Sequence, residues 1–161
     1  MTKIFVTVGT HPQQFDRLLR EIDILIETEK IEKDVFCQTG YSTYEPKNYK
    51  HTKFLSLDEF RKNIEKAELV ITHAGEGNIG LCKNLRKKMI VVPRKKEFKE
   101  HTNNHQLELA EVAEQMGLGL VVWALPELEE KIKEIKNFNP SNVKKGNIVE
   151  ILEKFVKEEF K

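Results

Sequence analysis

Two polar turns carry the residues that could do chemistry. One is Thr72-His73-Ala74-Gly75-Glu76-Gly77-Asn78-Ile79, and the other is Pro93-Arg94-Lys95-Lys96 followed by His101 to Gln106. Each falls where an apolar run hands over to a helical pattern. In an open parallel sheet such turns gather at the carboxyl ends of the strands, where helix amides point at an incoming anion. The chemistry this suits is the binding of a nucleotide diphosphate. Gly75-Glu76-Gly77-Asn78-Ile79-Gly80 formally spells G-x-G-x-x-G: Gly75 and Gly77 would let the backbone approach a phosphate, and the amides of Gly77, Asn78 and Ile79 would donate to it. The plainer reading is a tight turn without a ligand. A dinucleotide fingerprint also normally follows the first strand, and this one follows about the fourth, which argues against a plain nicotinamide dehydrogenase.

Three other features have both a chemical and a bland reading. Val8-Gly9-Thr10-His11-Pro12 sets a glycine and a hydroxyl at the first strand end, suited to phosphate or sugar oxygens, or simply to a helix cap. His101 and His105 lie four apart with Glu100 adjoining, so a metal site with His73 is conceivable. Capping and hydrogen bonding near a helix start account for the same imidazoles, no general-base glutamate falls between them, and no metal is expected. Arg94, Lys95, Lys96 and Lys99 form a basic cluster that is more often a solvated loop than an anion site.

The elements that must position these turns repeat along the chain. Continuous apolar runs at 3–8, 34–39, 52–55, 69–72, 89–93 and 118–123 read as strands buried on both faces, the last ending at Trp123 as a core residue. Between the first two, Phe15, Leu18, Leu19, Ile22, Leu25 and Ile26 make one face of a helix that Pro12 can start. Asp58 can cap a short helix carrying Phe60 and Ile64, and 103–116 is a helix burying Leu107, Ala110 and Ala113 and stopping at Gly117. Pro126 opens another, with Leu128, Ile132 and Ile135. A last helix from about Val143 to Phe160 is expected to cap the sheet or reach for a partner. Gly40 to His51 reads as a surface loop. Strand followed by helix six times gives a doubly wound, mostly parallel, Rossmann-like α/β sheet.

The 161 residues suit a single domain, 1–161, with 142–161 as its terminal helix. Lys and Arg total 27 against 26 Asp and Glu, so no global field exists to hold nucleic acid. Cys37 and Cys82 lack ligand spacing and read as buried thiols of a reducing compartment. No apolar run reaches the roughly 18 residues of a membrane span, and Ile4 to Val8 follows the start directly, so a cytoplasmic chain is expected, peripheral to the membrane if a partner holds it there.

Five segments carry a resemblance: Ile4 to His11, Phe15-Asp16-Arg17-Leu18, Ile71 to Ile79, Val91-Val92-Pro93-Arg94, and Asn104-His105-Gln106-Leu107-Glu108-Leu109-Ala110. Together and in order they resemble the C-terminal domain of glycosyltransferase family 28. More narrowly, they are similar to the stand-alone donor-binding subunits of two-component UDP-sugar transferases, such as the soluble subunit of the eukaryotic UDP-GlcNAc transferase and its bacterial exopolysaccharide and capsule relatives. The resemblance implies the C-terminal half of a GT-B fold that holds a UDP-sugar. A membrane-anchored partner would supply a lipid-linked acceptor and the catalytic base. Gly9 and Thr10 would border the diphosphate, with His73, Gly75, Glu76, Gly77, Asn78 and Ile79 around it. His105 and Gln106 would face the sugar hydroxyls, and Arg94 would neutralise charge on the leaving UDP, so that neither metal nor cofactor is needed. Where many relatives carry a ribose-binding acid this chain has Leu81, and Glu76 stands where relatives carry a small residue. Two other functions suit the same residues. One is an NADP- or flavin-binding oxidoreductase with Arg94 to Lys96 on a 2′-phosphate; the other is a non-catalytic regulatory partner of the same fold.

Overall fold

The structure is a computed structural model describing residues 3–140, so the helix expected from Val143 lies outside the described residues. Six strands form one parallel sheet: β1 (Ile4–Thr7), β2 (Val35–Gln38), β3 (Lys50–Thr52), β4 (Leu69–His73), β5 (Lys88–Val92) and β6 (Leu120–Val121). Their order is β3-β2-β1-β4-β5-β6. Helices α1 (Asp16–Glu27), α2 (Leu57–Lys66), α3 (Glu76–Asn84), α4 (His105–Gln115) and α5 (Leu128–Glu134) cover it.

Both faces of the sheet are dry, and side-chain alternation along each strand divides the core in two. Ile4 and Val6 of β1, Leu69 and Ile71 of β4, and Ile90 and Val92 of β5 pack with the α1 residues Leu18, Leu19, Ile22, Leu25 and Ile26 and with Leu128 and Ile132 of α5. Phe5, Val70, Met89 and Val91 turn the other way, onto Ile64 of α2, Ile79 and Cys82 of α3, and Leu109, Ala110 and Ala113 of α4. At about 1.5–3 kcal/mol for each large apolar side chain buried, these two layers hold the strands in one register. Cys37 and Cys82 are both buried and unpaired, as expected.

Five local expectations are corrected. Strand β3 lies at Lys50–Thr52 rather than 52–55, because it is pairing with β2 that defines it; Phe54 instead packs edge-on against Tyr41 at the surface. Helix α1 begins at Asp16, well after Pro12, its first amides held by the Ser42 hydroxyl on Phe15 and the Gln14 side chain on Asp16. Ser56, not Asp58, caps α2, in a reciprocal capping box with Glu59. Leu107 is half-buried, and Gln106 and Leu109 take the inner face of α4. The 40–51 loop is also less superficial than a polar loop should be. The Asp23 carboxylate receives the Tyr44 hydroxyl and the Lys47 and Asn48 amides, and Tyr49 is buried with its hydroxyl on the Leu19 carbonyl.

Helices α1 and α3 end alike. Glu29 (φ 58°) and Arg86 (φ 54°) occupy the left-handed region just past each helix, and the following amides of Lys30 and Lys87 reach back to the Leu25 and Cys82 carbonyls. Glycine is the usual residue there because a Cβ costs about 1 kcal/mol. Glu29→Gly and Arg86→Gly are therefore each expected to raise stability, by about 0.5–1 kcal/mol, as an upward shift of the urea midpoint at unchanged slope.

Candidate functional site

The chain leaves β1 toward β2 on one side of the sheet and leaves β4 toward β5 on the other. The turns after β1 and β4 therefore diverge, opening a crevice at the carboxyl end, where open α/β sheets bind ligands. A cavity of about 910 Å³ lies at the opposite end, lined by Ile4, Ile31, Leu69, Arg86 and Ile135 among others, remote from these turns.

His73, the last residue of β4, sits in the crevice between two glycines. A Cβ on Gly9 would fall 2.3 Å from its Nε2 and a Cβ on Gly75 would fall 2.4 Å from its Cε1. Gly9 also has φ 76°. This corrects one expectation: the space Gly75 leaves is filled by an imidazole, not kept for a phosphate. Gly77, by contrast, is exposed and has nothing within 4 Å of its Cβ position.

Gln106 fixes the proton on that imidazole. Its Oε1 accepts the Ala74 amide at 3.2 Å and the Arg94 amide at 2.9 Å, so its NH2 group faces His73 Nδ1, 3.0 Å away. An Nδ1 that accepts carries no proton, and the neutral ring then holds its hydrogen on Nε2, beside Gly9. Burial first, then the Arg94 guanidinium and the His11 and His101 rings, push the His73 pKa down to about 3. His73 is thus a neutral N–H donor at physiological pH. Gln106 is buried, with its Oε1 taken by two backbone amides and its NH2 group turned to His73, so the expected contact with sugar hydroxyls does not match its position.

Helix α3 starts at Glu76 with Gly75 as N-cap and no side-chain cap. Its first-turn amides, Glu76, Gly77 and Asn78, have no carbonyl partner inside the helix. The Ile79 amide is not among them, since it donates to the Gly75 carbonyl at 3.0 Å and its side chain is in the core. Asn78 Nδ2 donates to the Thr72 hydroxyl at 3.2 Å, which orients the turn. Glu76 is half-buried at the helix start, a position where a carboxylate complements the helix dipole. Across the crevice Thr10 is exposed, and the Gly9 amide is held by the Thr7 hydroxyl at 3.2 Å.

Arg94 lies elsewhere than expected. Its side chain is 0% exposed; Nη1 donates to the carbonyls of Gln13, Gln14 and Glu100 and Nη2 to that of Val8. The guanidinium ties the β1 turn to the loop after β5 and is not presented to a ligand, which removes both the leaving-group contact and the 2′-phosphate contact expected of it. His105, half-buried at the first position of α4, has Nδ1 3.3 Å from Glu108 Oε2. Leu81 packs partly buried against the α2–α4 core. Trp123 is half-buried, its indole N–H donating to Glu114 at 3.0 Å. Among the described residues no three His, Cys, Asp or Glu side chains converge as a metal-ligand set.

The spacing of motifs does not reveal the supporting groups. Gln38, ending β2, accepts the Thr7 hydroxyl at 2.6 Å and donates to the Gly9 and Lys53 carbonyls, clamping the first turn; a polar residue closing an apolar strand is its only signal in sequence. Glu100 is wholly buried, paired with Arg17 at 2.9 Å and accepting the Lys95 amide. His11 and His101 stack with ring centroids 4.2 Å apart.

Strand order and connection define a Rossmann-like α/β domain, and solved glycosyltransferases share this shape. The calicheamicin glycosyltransferase CalG4 matches with a TM-score of 0.59 at 13% identity, over 99% of this chain and 39% of that one. The solution structure of ALG13 matches at 0.58 and 19% identity, over 88% of this chain and 90% of that one. The chain belongs to the glycosyltransferase family 28 C-terminal domain family, whose model covers residues 3–158. The human UDP-N-acetylglucosamine transferase subunit ALG13 is 35% identical over 127 residues, which is 73% of this chain and 11% of that protein. The chain therefore spans about a tenth of the length of that curated relative.

Replacing Gln106 by Leu would leave two buried amides without an acceptor, at about 1–3 kcal/mol each. A loss of about 2–6 kcal/mol in chemical denaturation is expected, with Gln106→Glu, which keeps the acceptor, less damaging. His73 stays neutral when folded but protonates when unfolded, so its contribution is complete above pH ~6.5 and is lost as pH falls toward its folded pKa of about 3. Between pH 6.5 and 5 the unfolding free energy of the wild type should fall more steeply than that of His73→Asn, the difference approaching about 1.4 kcal/mol per pH unit.

Proposed function

We propose that this chain is the donor-binding part of a glycosyltransferase and holds a UDP-sugar by its diphosphate at the crevice between the β1 and β4 turns. The observation that carries this reading is the uncapped first turn of α3 beside a neutral His73 whose free N–H is on Nε2. Main-chain amides of Glu76, Gly77 and Asn78, the His73 Nε2–H and the exposed Thr10 hydroxyl are a set of donors without a competing carboxylate between them, Glu76 excepted. As the anomeric C–O bond breaks, negative charge grows on the β-phosphate, and donors fixed beforehand stabilise it more than they stabilise the ground state. This is work that a divalent ion often does in other transferases.

The relatives' names supply the finer terms of the proposal: UDP-N-acetylglucosamine as donor, and a second polypeptide that completes the enzyme. That second chain would be membrane-anchored, would bring the lipid-linked acceptor and the base that takes its hydroxyl proton, and would hold this chain at the membrane surface. No helix among the described residues is long and apolar enough to cross a membrane. Gly77 and Thr10 lie exposed at the strand ends, consistent with a cleft that a facing domain must close. Within the donor site we assign to His105 the contact with a sugar hydroxyl, while Gln106 acts on the donor only through His73.

Gly77→Asp separates a ligand site from a mere turn. The added Cβ meets nothing within 4 Å, and an aspartate in a first helical turn favours the helix. Its melting temperature is expected to hold or rise, while calorimetry with UDP shows affinity falling at least about tenfold, equivalent to about 1.4 kcal/mol. Equal UDP affinity in wild type and variant would remove the α3 amides from the site, and failure of the wild-type chain, alone or with its partner, to bind UDP would overturn the proposal.

A further inference from the structure

A diphosphate diester brings two negative charges, and the residue expected to answer them, Arg94, is enclosed by carbonyl oxygens. Beside the Gly9 turn the structure instead sets two imidazoles face to face. His11, on the turn after β1, and His101, on the loop after β5, lie 4.2 Å apart between centroids at an interplanar angle of 7°, both half-buried. Each ring is held in place. His11 Nε2 is 3.1 Å from Gln13 Oε1, and His101 Nδ1 accepts the Asn103 amide at 3.4 Å. His101 also follows Glu100, which is locked to Arg17 and to the Lys95 amide.

We propose that the stacked His11–His101 pair is the charge-bearing element of the donor site: when a diphosphate occupies the crevice the pair takes up one proton from solvent, carried on one ring while the other stacks against it. This rests on the donor-site reading above and adds to it the group that answers the ligand's charge. Two protons on parallel rings at this separation repel, whereas a single proton leaves one ring to stack on and solvate the other. The groups around His101 oppose a charge on it before a ligand arrives. Arg94 and the imidazoles of His11 and His105 disfavour a cation on His101; the nearby carboxylates are already engaged, Glu100 with Arg17 and Glu108 with His105. Burial, with His11 and Arg94, holds His101 down at about 4. A permanent lysine in this position would be an unmatched buried charge whenever the site was empty; an imidazole can take its proton as the ligand arrives.

The test is calorimetry of the full chain with UDP-N-acetylglucosamine, whose diester diphosphate does not itself titrate near neutrality, at pH 6.5 in two buffers of different ionisation enthalpy. The expected result is uptake of about one proton per ligand bound. His11→Gln and His101→Gln should each abolish the uptake and weaken binding about tenfold, with thermal unfolding checked in parallel. On the wild type, NMR of the His101 ring Cε1–H signal should show its pKa rising from about 4 to above about 7 on saturation, which tests the same point without a variant. Binding with no buffer dependence, or uptake that persists in the double variant, overturns the pair's role while leaving the donor site standing. Absence of any binding by the wild type overturns the donor-site reading and the pair's role with it.

Discussion

A buried positive charge organises the mouth of this domain. Taking a guanidinium out of water costs several kcal/mol unless polar groups replace its hydration, and Arg94 has them only because the turn after β1 and the loop after β5 both turn carbonyls inward. Val8, Gln13 and Gln14 come from one side and Glu100 from the other, so two segments distant in sequence must converge for the charge to be tolerated at all. Burial lowers the Arg94 pKa to about 10, with Glu100 acting in the opposite direction, and the group remains protonated at neutral pH. Its field then acts on everything nearby, including the two imidazoles it helps keep neutral.

Gln106 does for the other side of the crevice what Arg94 does for the first. One side-chain oxygen joins the backbone after β4 to the backbone after β5, and the amide nitrogen on the same group sets the tautomer of His73. A neutral, oriented N–H donor needs no proton transfer to form and no reorganisation when an anion arrives, which is the property a preorganised anion site requires. The two glycines that flank the ring make that orientation possible by leaving the space it fills.

Rigid support and an open face coexist here. The strand ends that carry the turns are packed on both sides by core residues, and Gln38 clamps the first turn from β2 as Gln106 clamps the second from α4. Yet Thr10 and Gly77 lie at the surface. A site that is stiff underneath and uncovered above is suited to recognising a ligand before a second domain encloses it.

Fold class was written in the chain: continuous apolar runs spaced by helical patterns can form little other than a two-faced parallel sheet, and the polar turns after β1, β4 and β5 fall at its carboxyl end by the handedness of the crossovers. The glycine and histidine positions of the site were legible for the same reason, since a turn motif is local. What each side chain does there was not. Arg94 looked like a ligand contact and is a structural clasp; Gln106 looked like a sugar contact and is a tautomer lock; Ile79 looked like a free amide and is one turn too far into its helix. Strand β3 was misplaced because an edge strand is defined by its neighbour and not by its own apolarity. Sequence thus determined which residues reach the crevice, because strand ends and helix starts are set within a few residues. Which of them face it was decided only by the tertiary structure, because partners such as Gln106 hydrogen-bonded to His73, or His11 stacked on His101, come from segments the chain brings together only on folding.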